Sequence, residues 1–339
     1  QRLPELTLAV KAAVDRDRRP GRFILTGSSD VARIRGDKDS LAGRALSVRL
    51  HPLSQAELRG SLGRGAFVDR LLERIDDPAG LAVAVPPSRV DVVELLLRGG
   101  YPSIREAGTR LRTAWLSDYV ERLLGVDARE GGGRLDPLRL AAVLRLIAAN
   151  QSGELVKARS AQEAALSAAS VTGYLDALDR LYLTEDLHPW AVNLTAREIG
   201  RRKVRVGDSG LAAWLCGASV GLLKDVVRGG KVFGALLEGF VVGELSAQAG
   251  WAEVDYRLYH YRDRRGLEVD VIIELGDGRV IAVEVKSAAG LTGRHFAGLT
   301  DLKRKLGDRL AAGVVLAPVD EPMRYAEGLW GLPLNTLWE

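Results

Sequence analysis

Alternation of apolar and polar positions is clearest in the stretch EVDVIIELGDGRVIAVEVK, from Glu268 to Lys286. Two β-branched runs, 269–274 and 280–286, flank Gly276-Asp277-Gly278 and predict a β-hairpin. Side chains alternate along a strand, so Val269, Val271 and Ile273 are expected on one face with Ile281, Val283 and Val285. The opposite face then receives Asp270, Ile272, Val280, Ala282, Glu284 and Lys286. With the loop symmetric about Asp277, Asp270 stands across from Glu284 and Glu268 across from Lys286.

Upstream the periods change. Residues 3–14 repeat at helical spacing, with Pro4 in the first turn. Short strands are predicted over 22–26 and 46–50, and Ser54 precedes Glu57 at capping-box spacing. The run 62–98 reads as helices broken at Asp76-Asp77-Pro78 and Val85-Pro86-Pro87-Ser88. Helices follow over 112–124, 137–150, 157–166 and 170–181, with the glycine run Gly131-Gly132-Gly133 as a break. A strand over 182–187 has a return partner over 203–206. After a helix over 211–216 comes 233–247, apolar nearly all round and so expected to be buried. Glu238 lies on it with Val241, Val242 and Leu245 at i+3, i+4 and i+7, where a carboxylate is costly unless paired or metal-bound. Glu244 competes for that inward position. A helix over 294–306 and a strand over 313–317 complete an α-β-β-α-β order, which fits a mixed sheet with helices on its faces. Three segments result, 1–98, 99–206 and 207–339, with no internal repeat.

Composition narrows the class. Of 339 residues, 47% are hydrophobic and 27% charged, the balance of a soluble globular protein. No run approaches the ~20 apolar residues of a membrane span, and no signal peptide is visible. The single cysteine, Cys216, excludes an internal disulfide and a cysteine zinc site, and favours a cytoplasmic location. The net charge of +4 permits a nucleic-acid partner without demanding one. The chain opens on Gln1, and its only methionine is Met323, which reads as a fragment of a longer protein.

The hairpin holds the candidate chemistry. Directly opposed side chains have Cβ atoms roughly 4.5–5.5 Å apart, where like charges repel. Asp270 and Glu284 in that position call for a cation, and a divalent metal with oxygen ligands is the natural one. A register slip of one residue would separate them and leave an ordinary charged strand. Only nine of the 48 basic residues are Lys, so Lys286 beside these acids carries information.

The order D-x(13)-E-x-K, joined to a Glu on an upstream buried helix, resembles the PD-(D/E)xK, or restriction-endonuclease-like, fold. That resemblance implies that Asp270 and Glu284 bind Mg²⁺, that Glu238 completes or supports the shell, and that Lys286 positions the attacking water. The segment QRLPEL, the strand-like FILTGSS and the run SLAGR resemble the second half of an AAA-type P-loop ATPase domain. There Thr26 or Ser28 would act as the polar sensor of the γ-phosphate, and Arg44 as an arginine finger. No G-x-x-x-x-G-K-[ST] loop accompanies them, so ATP is expected in the full-length parent and not on this chain.

The three helices and hairpin between these ends suggest a winged helix-turn-helix. Its helix 170–181 carries Asp176 and Asp179 against Arg180 alone, which argues against a strong DNA role. The basic group Arg197, Arg201, Arg202, Lys203 and Arg205 is the better phosphate-binding candidate, and Arg262, Arg264 and Arg265 are candidates for a basic rim. With VGDSGLAAWL, FGALLEGFVVGEL, GLEVDVIIE and AVEVKS, the whole chain resembles the bacterial and archaeal AAA-type predicted ATPases that end in a restriction-endonuclease-like domain of unknown function. The expected fold is therefore α/β: a partial P-loop AAA-type segment, a winged-helix-like middle and a nuclease-like mixed α/β domain. Two functions are carried forward. One is a Mg²⁺-dependent nuclease acting on nucleic acid. The other is a non-catalytic regulatory module that binds a protein partner or forms a homo-oligomer, with Glu268 and Lys286 a surface pair.

Overall fold

The computed structural model describes residues 4–27, 41, 43–82, 85–127, 135–156, 161–164, 166–193, 195, 197 and 200–339. Helix α1, Pro4–Arg16, opens the chain. The strands predicted over 22–26 and 46–50 are not formed: residues 23–27 and 45–50 carry no strand assignment. A strand needs a neighbour for its backbone groups, and among the described residues neither segment has one. Ile24, Leu46 and Leu50 accordingly stand 87%, 90% and 88% exposed.

Ser54 caps α2, Gln55–Leu58, in a reciprocal box with Glu57. Helices α3, Phe67–Glu73, and α4, Arg89–Arg98, follow. Ser88 and Asp91 make a second capping box at the start of α4. Helices α5, Thr109–Arg122, α6, Pro137–Ala149, and α7, Ala168–Arg180, match the expected periodic runs. Pro137 follows the Asp136 cap at the head of α6, the position where proline costs least. The glycine run 131–133 and the start of the helix predicted over 157–166 lie outside the described residues.

Strand β1 is Gly153–Glu154. Strands β2, Thr184–Pro189, and β3, Lys203–Val206, pair antiparallel from Thr184–Val206 to Leu187–Lys203. Next come the short helices α8, Ser209–Leu215, and α9, Val220–Lys224, then the long α10, Val226–Gln248. The remaining strands are β4, Tyr256–Arg262, β5, Glu268–Leu275, β6, Val280–Val285, β7, Leu310–Ala317, β8, Met323–Ala326, and β9, Leu329–Pro333. Helix α11, Ala297–Leu306, lies between β6 and β7.

The result is mixed α/β. Among the described residues one nine-stranded sheet runs in the order β1-β3-β2-β4-β5-β6-β7-β9-β8. It is continuous across residue 206, because β2 joins β4 in parallel through His188–Tyr259 and Pro189–His260. One face buries Val271, Ile273, Ile281 and Val283 with Phe233, Leu237 and Val241 of α10. The other buries Ile272, Val280 and Ala282 with Leu299 and Leu302 of α11. Covered on both sides, β6 is apolar at every position but Glu284.

Val269 departs from the predicted face. It packs with Ile272 rather than with Val271 and Ile273. The β4–β5 register passes from Tyr259–Ile272 to Tyr261–Val269, so β5 holds one residue more than β4 there, and such a bulge breaks strict alternation along its own strand.

Candidate metal centre

The hairpin register pairs Val271 with Val283, Ile272 with Ala282 and Ile273 with Ile281. Asp270 and Glu284 follow immediately beyond the end of that ladder. There β5 leaves β6, and the Asp270 carboxylate takes over the missing rung: its Oδ2 accepts the Val285 N–H at 2.8 Å. Lys286 Nζ donates to Glu284 Oε1 at 2.5 Å. Glu284 Oε2 is buried and has no hydrogen-bond partner. Asp270 and Glu284 are themselves buried, at 8% and 9% exposure.

Glu238 approaches from α10, and Glu244 does not. The two sit six positions apart on the helix, and Glu244 turns to the head of α2, where both its oxygens accept the Gln55 N–H at 3.0 Å. Glu238 Oε1 accepts from Lys203 Nζ at 2.8 Å. That lysine also lies 2.6 Å from Glu268 Oε1 and 3.9 Å from Asp270 Oδ1. Helix α10 can pass close to β3 because its inner face carries glycines. A Cβ on Gly243 would stand 3.1 Å from Arg205 Nη1, and the Gly239 carbonyl accepts from that same nitrogen at 3.4 Å.

The electrostatics follow from this crowding. Burial and the Asp270 charge push the Glu284 carboxyl up, against the pull of Lys286. Burial and Asp270 likewise raise Glu238, against Lys203. Lys203 loses hydration on burial, yet Glu238, Asp270 and Glu268 together lift it above the usual lysine range. Next to it His260 is held down to about 4 by burial and by the Lys203 charge, so the imidazole is neutral near pH 7.

Several sequence expectations change here. Glu268 pairs with Lys203 and Lys286 with Glu284, so the predicted Glu268–Lys286 surface pair is absent. The basic group 197–205 is largely engaged by acids of the same chain, although Arg201 stays 66% exposed and 3.8 Å from Glu154. Arg197 pairs with Glu274, Arg202 with Asp186, Lys203 with Glu238 and Arg205 with Glu185. On β3, Lys203 and Arg205 share one face by alternation, and Arg202 takes a partner elsewhere. The basic rim is also neutralised in part: Arg262 lies 3.4 Å from Glu154, and Arg265 lies beside Asp263 and Asp301. Lys203, Glu268 and His260 are the members of the cluster that sequence reasoning left out. Rarity was the available signal for Lys203, a lysine on a strand in an arginine-rich chain.

Among the described residues no three His, Cys, Asp or Glu side chains are disposed to share one ion. Two are enough for magnesium, which commonly keeps several waters and takes one or two carboxylates. Asp270 and Glu284 fit that demand: both are oxygen donors, and one buried Glu284 oxygen lacks a partner.

Comparison with known proteins divides the chain in three. Residues 1–59 match a family described as an AAA domain. Residues 89–221 match a domain of unknown function (DUF8612), and residues 233–337 another (DUF4143). The two ends together support an AAA-type ATPase-like family. Two curated relatives are the uncharacterized proteins Rv2008c of Mycobacterium tuberculosis and Mb2031c of Mycobacterium bovis, each 27% identical over 307 residues. The match covers 89% of this chain but 61% of either relative, so the chain spans less than two thirds of their length. No solved structure matches it. Among the described residues no helix is long and apolar enough to cross a membrane.

The nucleotide candidates lie in the AAA-like segment, apart from the acid cluster. Thr26 is exposed on an extended stretch without strand structure. Arg44 Nε pairs with Asp15 Oδ1, near the end of α1, at 2.7 Å. Ser28 lies outside the described residues. The acids all fall within the DUF4143 match, whereas Lys203 comes from the DUF8612 segment.

Proposed function

We propose that Asp270 and Glu284 hold a divalent metal ion and that the C-terminal region hydrolyses phosphodiester bonds in nucleic acid. The buried, unpartnered Glu284 Oε2 beside Asp270 carries this reading. An oxygen so placed is costly unless a cation or donor reaches it. A bound ion of this class lowers the pKa of its water and offsets charge on the phosphoryl oxygens. Asp270 would contribute a carboxylate oxygen while its Oδ2 keeps the Val285 N–H. Lys286 keeps Glu284 oriented through its hydrogen bond and would present its remaining protons to the attacking water. Glu238 supports the set from α10 through Lys203.

The test is calorimetric titration of Mn²⁺ into the wild-type chain and Asp270→Asn. Saturable heat in the wild type and its loss in the variant are expected. Identical heats in the two proteins would remove the metal site.

A second reading, a non-catalytic module that binds a partner, is favoured by the ion pairing of the basic groups. Arg202, Arg205 and Arg265 are engaged with acids of the same chain, which leaves less charge for a polyanion. In that reading the winged-helix-like middle and the nuclease-like sheet present a protein-binding surface. Retention of a defined protein partner, with no cleavage of DNA or RNA in Mn²⁺, would decide for it. In both readings an ATP site would belong to a longer parent protein, since these 339 residues hold no phosphate-binding loop.

A further inference from the structure

The cation nearest Glu238 and Glu268 is supplied neither by the acid hairpin nor by its helix. Lys203 heads β3, in a different family segment from the acids, and its side chain is 4% exposed. Its ammonium has carboxylate oxygens of Glu268 and Glu238 at 2.6 and 2.8 Å, and an Asp270 oxygen at 3.9 Å. Lys286 behaves differently. It binds Glu284 through Oε1 only and leaves Oε2 open.

We propose that Lys203 is a built-in competitor of the divalent cation, so that the β2–β3 hairpin sets the metal affinity of the Asp270–Glu284 pair. This rests on the metal reading above. Lys203 occupies Glu238, which would otherwise be free to turn toward Asp270, and it keeps the set at two carboxylates. Its fixed positive charge beside Asp270 Oδ1 also opposes a second cation on that oxygen. Burial strengthens that opposition, because little water screens it. The strand is joined to the rest of the sheet through β2, which meets β4 over two residue pairs only. A displacement of this hairpin would withdraw the ammonium and release Glu238 to the ion. The site is thus composite, with its affinity governed from the middle segment of the chain.

Calorimetry with Mn²⁺ on the full chain tests this, using wild type, Lys203→Met and Lys203→Gln. Both variants are expected to bind Mn²⁺ at least tenfold more tightly than wild type, and Asp270→Asn added to either should abolish the gain. Lys203→Gln keeps amide donors for Glu238 and Glu268, so it carries the test where circular dichroism shows Lys203→Met unfolded. Lys224→Met, which removes an exposed positive charge elsewhere, should stay within twofold of wild type. An equal gain in Lys224→Met would trace the effect to net charge and overturn the proposal. Affinity in the Lys203 variants within twofold of a binding wild type, or weaker, would overturn it and leave the metal reading intact. Absence of heat in every protein would overturn both.

Discussion

Asp270 Oδ2 accepts the Val285 N–H at 2.8 Å, so one carboxylate of the candidate centre is also a rung of the sheet. The two roles separate by substitution. Asp270→Ala leaves a buried N–H without an acceptor and should cost ~1–3 kcal/mol. Asp270→Asn keeps an acceptor oxygen and should cost under ~1 kcal/mol, although it loses the charge that a metal needs. Urea unfolding of both variants checks this. Equal losses would mean that the acceptor is not what matters.

Glu244 gives a pH prediction away from the acid cluster. Complete burial pushes its carboxyl up to about 8, against the pull of the Gln55 N–H. The folded chain therefore keeps its proton where the unfolded chain has released it. Stability from this group is full below the unfolded value near 4.5 and falls as pH rises toward about 8. Glu244→Gln should gain on wild type by roughly 1–4 kcal/mol between pH 5 and pH 9. Thermal melts across that range would show a flatter pH dependence in the variant. A gain that grew toward acid would refute the assignment.

Glu274 ties the segment after β2 to the acid hairpin. It accepts Trp190 Nε1 at 3.0 Å and both terminal nitrogens of Arg197 at 2.7 Å. Glu274→Ala would leave the terminal nitrogens of the Arg197 guanidinium and an indole N–H unpaired, at ~2–3 kcal/mol, with Arg197 Nε still donating to the Ala191 carbonyl. Glu274→Gln should recover about half of that. A chemical-denaturation midpoint unchanged in Glu274→Ala would exclude the tie.

Nucleotide gives the fourth prediction. With Thr26 exposed, Arg44 paired to Asp15 and no phosphate loop in the chain, a fluorescent ATP analogue should show no saturable micromolar binding. A tight, Mg²⁺-dependent isotherm would reveal a site that these residues do not account for.

The acid hairpin was legible because its turn is short and nearly symmetric. Gly278 takes φ +83°, and pairing Val271 with Val283 leaves Asp270 and Glu284 immediately beyond the ladder. Most helices were legible from period and caps. Strands β4, β8 and β9 were not: YRLYHYR mixes exposed and buried positions, β8 is a four-residue edge strand, and the five residues of β9 are too short a run to show a period. The segments 22–26 and 46–50 failed for the converse reason: strand-like composition does not supply a partner. Lys203 was visible only as one member of a basic run. What joins it to Glu238 is the packing of α10 on β3, which no local pattern encodes.

The two-pair parallel seam between β2 and β4 also bears on the order of assembly. His188 and Tyr259 are roughly 70 residues apart, so their pairing closes a long loop at a larger entropic cost. The β5–β6 hairpin closes across a few residues and carries little of that cost. During refolding, therefore, Asp270, Glu284 and Lys286 should come together early, while Lys203, the partner of Glu238 and Glu268, arrives later from across the seam. Charge balance in this cluster is a late event in the life of each molecule, and amide hydrogens at the seam should be among the last to gain protection.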